Sequence, residues 1–584
     1  MIHKKTKYKG IYFYRSIKYI ANIYFMELLF YLCEKFIKEE YFNIACIIIL
    51  SLALSIFSTN IISNITANII QGINKGSFDS VSTYYKYFIL VSSIFFATYY
   101  LYKYFQNIFL SKLPEWIKHE MLQIILKFNN INMSNTNFVN FYNHITRISA
   151  SGFITFNDIV ATYIPSLGFL LVITGYFLYK NWVLGLIFFF LNTFIVLYLY
   201  YVVGDITVEK RKQEAKIGSL NNYMLDLLNN IDKVIYRGQT KVEMNIFDEK
   251  ISEVINYTNS YMSYMNMHMF IASSFSYINI FILIGYLIYL HKNNQLSTTT
   301  FITFFTMILL YRDRMGGLIF GIPDNIESMG RIMNMIADFD ETFTKGEPIN
   351  KILEEIENKS GSQENLDLKF DKIRFEDVSF QYKGKDIKVF DHLSKEVYLK
   401  NKIIGIVGQS GKGKSTFMKL VLRLYEPTGG KIFIDDIDIA GLDPDFIRQH
   451  ITYVNQNSRL FDKKVLENIF YGCKHQESCD KHLKEIMDHS KIQELYKNVD
   501  IVNGSSGALG EKLSGGQRQV INIISGLINP TEILILDEPT NALDSELKKE
   551  ILTIIQKFRK YKKCIMIITH DHDVFSLFDE TIEL

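Results

Sequence analysis

The stretch Ile403-Ile-Gly-Ile-Val407-Gly408-Gln409-Ser410-Gly411-Lys412-Gly413-Lys414-Ser415-Thr416 decides the reading of this chain. A short apolar run, Ile403–Val407, reads as a buried strand, the glycine-rich segment as a loop, and the apolar residues that follow as a helix. That is a Walker A loop in its required strand–loop–helix context. Glycines let successive backbone N–H groups turn inward around a β-phosphate, and the helix N-terminus adds its dipole. Lys414 then reaches the β/γ oxygens, and Ser415 is placed to ligate Mg²⁺.

Working outward, Ile533-Leu-Ile-Leu536-Asp537-Glu538 is a second apolar strand, and it ends in two acids. Asp537 stands where a metal-bound water is held, and Glu538 where a carboxylate polarises an attacking water. Further short runs, Val397–Leu399, Lys431–Ile434, Ile451–Val454 and Cys564–Ile568, alternate with helix-like segments. The alternation predicts an α/β domain with a largely parallel sheet over residues 368–584. The polar, acidic stretch 341–367, with Gly361, Ser362 and Gln363, reads as the linker before it.

Upstream of the linker the spacing of charges changes. Tyr41 to Asn74 contains no charged residue, nor do Tyr87–Tyr102, Ile159–Tyr179 or Asn181–Gly204. A bilayer core of about 30 Å needs about 20 apolar residues in a helix. Six spans fit, centred on 41–63, 84–107, 160–179, 182–203, 267–290 and 299–322, within a membrane domain of residues 41–340. Only Pro114, Pro165 and Pro323 interrupt the first 340 residues, which suits long helices.

The basic residues set the orientation. Lys4, Lys5, Lys7, Lys9, Arg15 and Lys18 precede the first span; Lys112, Lys118, Lys127 and Arg147 lie between spans two and three; Lys210, Arg211, Lys212, Lys216, Lys233 and Arg237 lie between four and five. The positive-inside rule therefore puts both termini and the two long loops on the cytosolic or matrix side. The membrane itself is left open. Those loops lack Gly and Pro clusters, and Met224, Leu225, Leu227, Leu228, Ile231 and Val234 recur at helical spacing, so the helices are expected to continue past the membrane. Residues 1–40 read as a basic tail, rather than an Arg- and Ser-rich transit peptide, followed by an interfacial helix.

Over all 584 residues, 63 basic side chains face 61 acidic ones, which argues against nucleic acid held by bulk charge. Cys33, Cys46, Cys473, Cys479 and Cys564 form no CxxC pair, so a disulfide framework or zinc ribbon is not expected, and they read as ordinary core or surface thiols.

A third motif names a family. Leu513-Ser514-Gly515-Gly516-Gln517-Arg518-Gln519 is the signature sequence of ATP-binding cassette proteins, and the last 215 or so residues resemble that family throughout. Tyr382 matches the aromatic residue that stacks on adenine, and Gln456, in Tyr453-Val-Asn-Gln456, the glutamine that contacts Mg²⁺. Asp544, in Asn541-Ala-Leu-Asp544, resembles part of the loop that crosses to the partner cassette, and His570 the switch histidine on the γ-phosphate. Six spans followed by one cassette resemble the exporter-type half-transporters. Leu227–Gln239 is similar to the inner-loop segment that docks on a cassette, and Ile322–Ile326 followed by Arg331-Ile332 to the end of span six.

The resemblance implies an all-α six-helix transmembrane domain with long inner extensions plus an α/β P-loop ATPase. It implies ATP and Mg²⁺ as ligands, with Ser415, Gln456 and Asp537 at the metal. It also implies that Glu538, His570, Lys414 and Gln456 carry hydrolysis, and that Ser514, Gly515 and Gly516 close the ATP site of a second copy or a paralogous half-transporter. Ala508 before the signature, and Val520–Ser525 after it, depart from the family pattern. An ATP-gated channel on the same scaffold, and a mitochondrial-type exporter of glutathione or sulfur compounds, are alternative readings. The solute is unidentified. Arg312 and Arg314 in span six read either as an anion site facing a wet cavity or as partners of a local carboxylate.

Overall fold

A computed structural model describes residues 27–131, 138–339, 349–359, 368–382, 385, 387–409, 411–456 and 459–584. Ser410, the basic stretch before residue 27 and most of the linker lie outside them.

The first unit comprises residues up to 123 and 136–350. A short amphipathic helix, Glu27–Glu39, precedes long ones at Tyr41–Asn74, Phe78–Ile131, Tyr142–Lys180, Trp182–Asn229, Thr240–Lys292 and Thr298–Phe339. The first five long helices are long and apolar enough to cross a membrane. The sixth is a continuous helix of 42 residues whose hydropathy is diluted by Arg312, Asp313 and Arg314. With lengths of 48 to 54 residues, three of these helices extend far past a bilayer core of about 30 Å at 1.5 Å rise per residue. The second long inner segment is helical as expected, broken only around the six-residue helix Ile231–Tyr236.

Large apolar side chains such as Phe96, Phe190, Phe270 and Phe281 point outward, as a lipid solvent requires. Inside, Phe177, Phe188, Phe304 and Tyr311 interlock, with ring centroids 4.9–5.3 Å apart. Tyr311 donates to Asn192 Oδ1 at 2.8 Å and accepts from Asn279 Nδ2 at 3.0 Å, so this buried polar group is satisfied between three helices. The second long helix runs through Pro114, whose carbonyl accepts the Ser149 hydroxyl at 2.8 Å. Nearer the inner end, buried Lys210 pairs with Glu214 at 3.0 Å.

The second unit joins the described residues from 351 to 584 with 124–131, the end of the helix Phe78–Ile131. Five parallel strands run in the order β6 (Ile451–Val454), β7 (Ile533–Asp537), β8 (Cys564–Ile568), β3 (Lys402–Val407) and β9 (Glu580–Glu583). Val397–Leu399 and Lys431–Ile434, two of the runs expected in the parallel sheet, fall instead at the end of β2 and within β4 of a second, antiparallel sheet of four strands: β2 (Lys388–Tyr398), β1 (Lys372–Gln381), β4 (Gly429–Ile434) and β5 (Ile437–Asp438). Its strands alternate buried and exposed residues, so they carry a weaker apolar signal than the wholly buried β7 and β8.

The cysteine expectation needs correcting. Cys473 and Cys479 form a disulfide, with Cα atoms 6.7 Å apart. The helix Gln476–Met487 starts between the two cysteines, so the short segment Lys474-His475 and the first helical turn set Cys479 within bonding reach of Cys473, at a spacing that matches no known motif. Cys33, Cys46 and Cys564 are free thiols.

Lys562 is buried at the C-terminal end of the helix Gly515–Ile528 and donates to the Asn529 carbonyl. Burial pushes its ammonium down to about 8. The unfolded chain, with a lysine pKa of about 10.4, binds more protons between those values, so stability rises with pH across that window and the penalty is full below pH 8. Lys562→Met is therefore expected to raise the melting temperature by a few degrees at pH 7 and by less at pH 10. Equal shifts at both pH values contradict this account.

Candidate nucleotide site

The parallel sheet presents the C-terminal ends of β3, β7 and β8 on one edge, where ligands of open α/β sheets bind. Beyond β3 the loop is left-handed at Gly411 (φ +85°) and Gly413 (φ +94°). A Cβ at Gly413 would sit 2.6 Å from Val389 Cγ1, so space and backbone both demand glycine. Gly408 has φ +147° and passes close to the Leu584 carbonyl. Gly413 caps the helix Lys414–Val421 without a side chain, which leaves the first-turn N–H groups of Lys414, Ser415 and Thr416 for an anion. Lys414 Nζ lies back over the loop, donating to the Gly408 carbonyl at 2.9 Å and the Gln409 carbonyl at 3.1 Å. Lys412 is exposed on the loop surface.

Tyr382 hangs from the end of β1, its ring edge-on to Phe380 and Tyr425 at 5.0 and 5.3 Å. Its hydroxyl shares a 2.7 Å hydrogen bond with Thr416, so the ring is held beside the loop. Half-buried, it keeps a face for a base.

Parallel pairing aligns Asp537 with Ile568, so Glu538 and His570 leave adjacent strand ends together. The Glu538 N–H donates to the Ile568 carbonyl at 2.8 Å, and His570 Nδ1 lies 2.7 Å from Glu538 Oε1. Glu538 is buried and has φ +52°, a left-handed conformation costing a non-glycine residue about 1–3 kcal/mol and concentrated at functional sites. Asp537, also buried, accepts a 2.6 Å hydrogen bond from Tyr453 of the neighbouring strand β6. Burial, and next the Asp537 charge, push the Tyr453 phenol above its usual range, so it remains a donor. Two residues past β6, Gln456 is exposed to solvent. Asp537, Glu538 and Ser415 each carry oxygen donors, the ligand type Mg²⁺ accepts.

Some contributors escape motif reading. Lys548 bridges Asp571 and Asp573, each at 2.6 Å, and Thr540 donates to Asp571 at 3.0 Å. These contacts brace the segment that carries His570. Tyr453 begins the segment Tyr453–Gln456, but only the β6–β7 pairing reveals that it holds Asp537.

The signature segment forms a separate cap. Ser514 accepts from the Gln517 N–H at 3.2 Å while Gln517 Oε1 accepts from the Ser514 N–H at 2.9 Å, a capping box on the helix Gly515–Ile528. Leu513 is buried beneath it, and the first turn has Gly515 exposed and Gly516 half-buried. A Cβ at Gly516 would come 3.2 Å from the Ala542 carbonyl. Asp544 caps the next helix, Ser545–Phe558, accepting from the N–H groups of Glu546 and Leu547 at 3.1 and 2.9 Å. Ala508 begins a single 3₁₀ turn in which Leu509 is left-handed and exposed, and Val520–Ile524 supply core residues.

Arg312 pairs with its chain neighbour Asp313 at 2.8 Å, and the guanidinium of Arg314 lies 6.0 Å from the Phe169 ring. The structure therefore does not join the two arginines in one cluster.

Residues 391–541 match the family model described as ABC transporter, and residues 43–315 the model described as ABC transporter transmembrane region. The lactococcin-G-processing and transport ATP-binding protein of Lactococcus lactis is 34% identical over 260 residues, which is 43% of this chain and 36% of that protein. The ATP-dependent lipid A-core flippase of Mannheimia succiniciproducens is 32% identical over 268 residues, 44% of each chain. The chain thus spans less than half the length of these curated relatives. A solved structure described as a bacterial Atm1-family ABC exporter with ATP bound matches at a TM-score of 0.74, over 94% of this chain and 93% of that one. Its 19% identity makes that a likeness of fold.

Proposed function

The chain belongs to the ABC transporter family, and on that premise we propose that it is an exporter-type half-transporter. Two copies, or one copy with a paralogous half-transporter, hydrolyse ATP to move a solute across a bilayer by alternating access. The observation that carries this reading is Glu538 hydrogen-bonded to His570 at the strand ends beside the Walker A loop, in a chain whose other half is a bundle of membrane-length helices.

Within the site, Glu538 takes the proton from the attacking water, and His570 orients that carboxylate and the γ-phosphate. Lys414 and the first-turn N–H groups stabilise the charge that develops on the phosphates. Ser415, Asp537 and Gln456 would hold Mg²⁺, which supplies charge neutralisation at the β- and γ-oxygens when bound. Tyr382 stacks on adenine.

Two observations favour a dimer. The Ser514–Gly516 turn points a set of backbone donors outward, the form required to complete an ATP site on another cassette. The inner segment Ile231–Tyr236 leaves Ile231, Ile235 and Tyr236 half or more exposed outside the membrane, as a docking helix for a partner would be. The basic inner loops support a cassette on the cytosolic or matrix side. An anionic solute, such as a glutathione conjugate, is the class that Arg314 would recognise.

Reconstitution of the full chain into liposomes tests the proposal. Mg²⁺-dependent ATP hydrolysis with ATP-dependent accumulation of a solute is expected, and loss of accumulation in Arg314→Gln would support an anion. ATP-gated passive ion current without accumulation would instead assign the scaffold to a channel.

A further inference from the structure

The Walker A helix Lys414–Val421 is only eight residues long, and its C-terminal end runs into a turn held from outside the helix. The Leu424 N–H returns to the Lys419 carbonyl at 2.8 Å, and Arg423 turns left-handed with φ +49°. That turn presents the next carbonyls, of Leu422 and Arg423, to the side. Both are taken by Arg448, which lies in the helix Pro444–His450 immediately before β6: Nε donates to Leu422 at 3.0 Å and Nη2 to Arg423 at 2.7 Å. The rest of the same guanidinium goes to Asn130. Nη2 also donates to the Asn130 carbonyl at 2.5 Å, and Nη1 to its side-chain oxygen. Asn130 is the penultimate residue of the helix Phe78–Ile131, whose last turns pack as part of the cassette unit.

We propose that Arg448 is a positioning residue that passes the state of the Walker A helix to the helix Phe78–Ile131. One planar fork grips the end of the phosphate-binding helix and the end of a membrane-length helix, so neither moves without the other. The geometry requires arginine, because lysine has no rigid fork to engage two peptide carbonyls on one side and an Asn residue on the other. Arg448 also stands eight residues ahead of Gln456 on the segment that supplies β6, so the same anchor fixes where that strand begins. The inference rests on ATP being the ligand of the Walker A loop.

The chain carries two tryptophans, and one of them, Trp116, lies on the helix in question. Its indole donates to Glu39 at 2.8 Å and packs on Phe36, so its emission responds to movement of that helix. In Trp182→Phe/Glu538→Gln protein, full length and in lipid nanodiscs, Mg-ATP is expected to produce a saturable change in Trp116 fluorescence. Adding Arg448→Ala should reduce its amplitude at least fivefold, while ATP affinity measured by equilibrium dialysis stays within about threefold. Arg448→Lys, which keeps the charge, should lose most of the amplitude as well, and it serves if the alanine variant does not fold. A merely structural arginine would lower thermal stability and leave the amplitude per bound ATP unchanged, and that result overturns the proposal. So does ATP binding without any Trp116 response in the parent. Absence of ATP binding in the parent would instead remove the nucleotide-site reading on which the proposal stands.

Discussion

Glu538→Gln is expected to lower ATP turnover of the full chain by about 10²–10⁴-fold, the contribution of a positioned general base, while leaving ATP affinity nearly unchanged. Glutamine has the shape of glutamate and keeps an oxygen within reach of His570, so the 2.7 Å contact and the left-handed backbone at 538 have no reason to change. What disappears is the basicity. Asp537 cannot substitute, because the Tyr453 hydroxyl binds one of its oxygens at 2.6 Å and β6 and β7 hold that pair in place. The variant should therefore accumulate with ATP bound. Steady-state phosphate release together with nucleotide retention on a desalting column checks both halves. Turnover within a few-fold of the parent would mean that another group activates water.

The second large effect is on binding. Lys414→Ala removes the cation that spans the loop to the Gly408 and Gln409 carbonyls and that must swing to the phosphates when nucleotide enters. A charge-assisted hydrogen bond is worth about 1.5–3 kcal/mol, so ATP affinity should fall by roughly 10- to 150-fold. The loop should otherwise survive, since its shape is imposed by the positive φ angles of Gly411 and Gly413 and by close packing against Val389, none of which involves the ammonium. Nucleotide titration and thermal melting, run side by side, distinguish the outcomes. A large loss of affinity with an unchanged melting temperature is expected. Unchanged affinity would show that backbone donors alone carry the phosphates.

The Walker A loop is legible in a string of letters because phosphate binding uses consecutive backbone N–H groups, and glycine spacing reports their conformation directly. The signature turn is legible for the same reason: its capping box is closed by residues three apart. Membrane helices announce themselves because a bilayer tests about 20 consecutive residues at once. The sixth falls short of that test only because Arg312, Asp313 and Arg314 sit within it, although its backbone is as continuous as the others. Two strands of the antiparallel sheet are legible as the runs Val397–Leu399 and Lys431–Ile434, but a run does not report which neighbour it pairs with or in which direction, and the half-buried β1 carries only a broken apolar pattern. The Cys473–Cys479 bond is not legible in the spacing, because the place where the helix Gln476–Met487 starts, and no motif, sets the two thiols within reach.

Motif order and hydropathy alone settle that a bundle of membrane-length helices precedes one P-loop cassette, since each signal is local: a run, a turn or a spacing that the chain carries wherever it folds. Tertiary structure alone decides which groups are partners. Glu538 meets His570 across 32 positions because β7 and β8 pair in register. Arg448 reaches Asn130 across 318 positions because the end of one long helix packs with the cassette. Hydrogen bonds between distant segments depend on strand register and helix end points, and those are set by the burial of the whole core rather than by the residues that form the bonds.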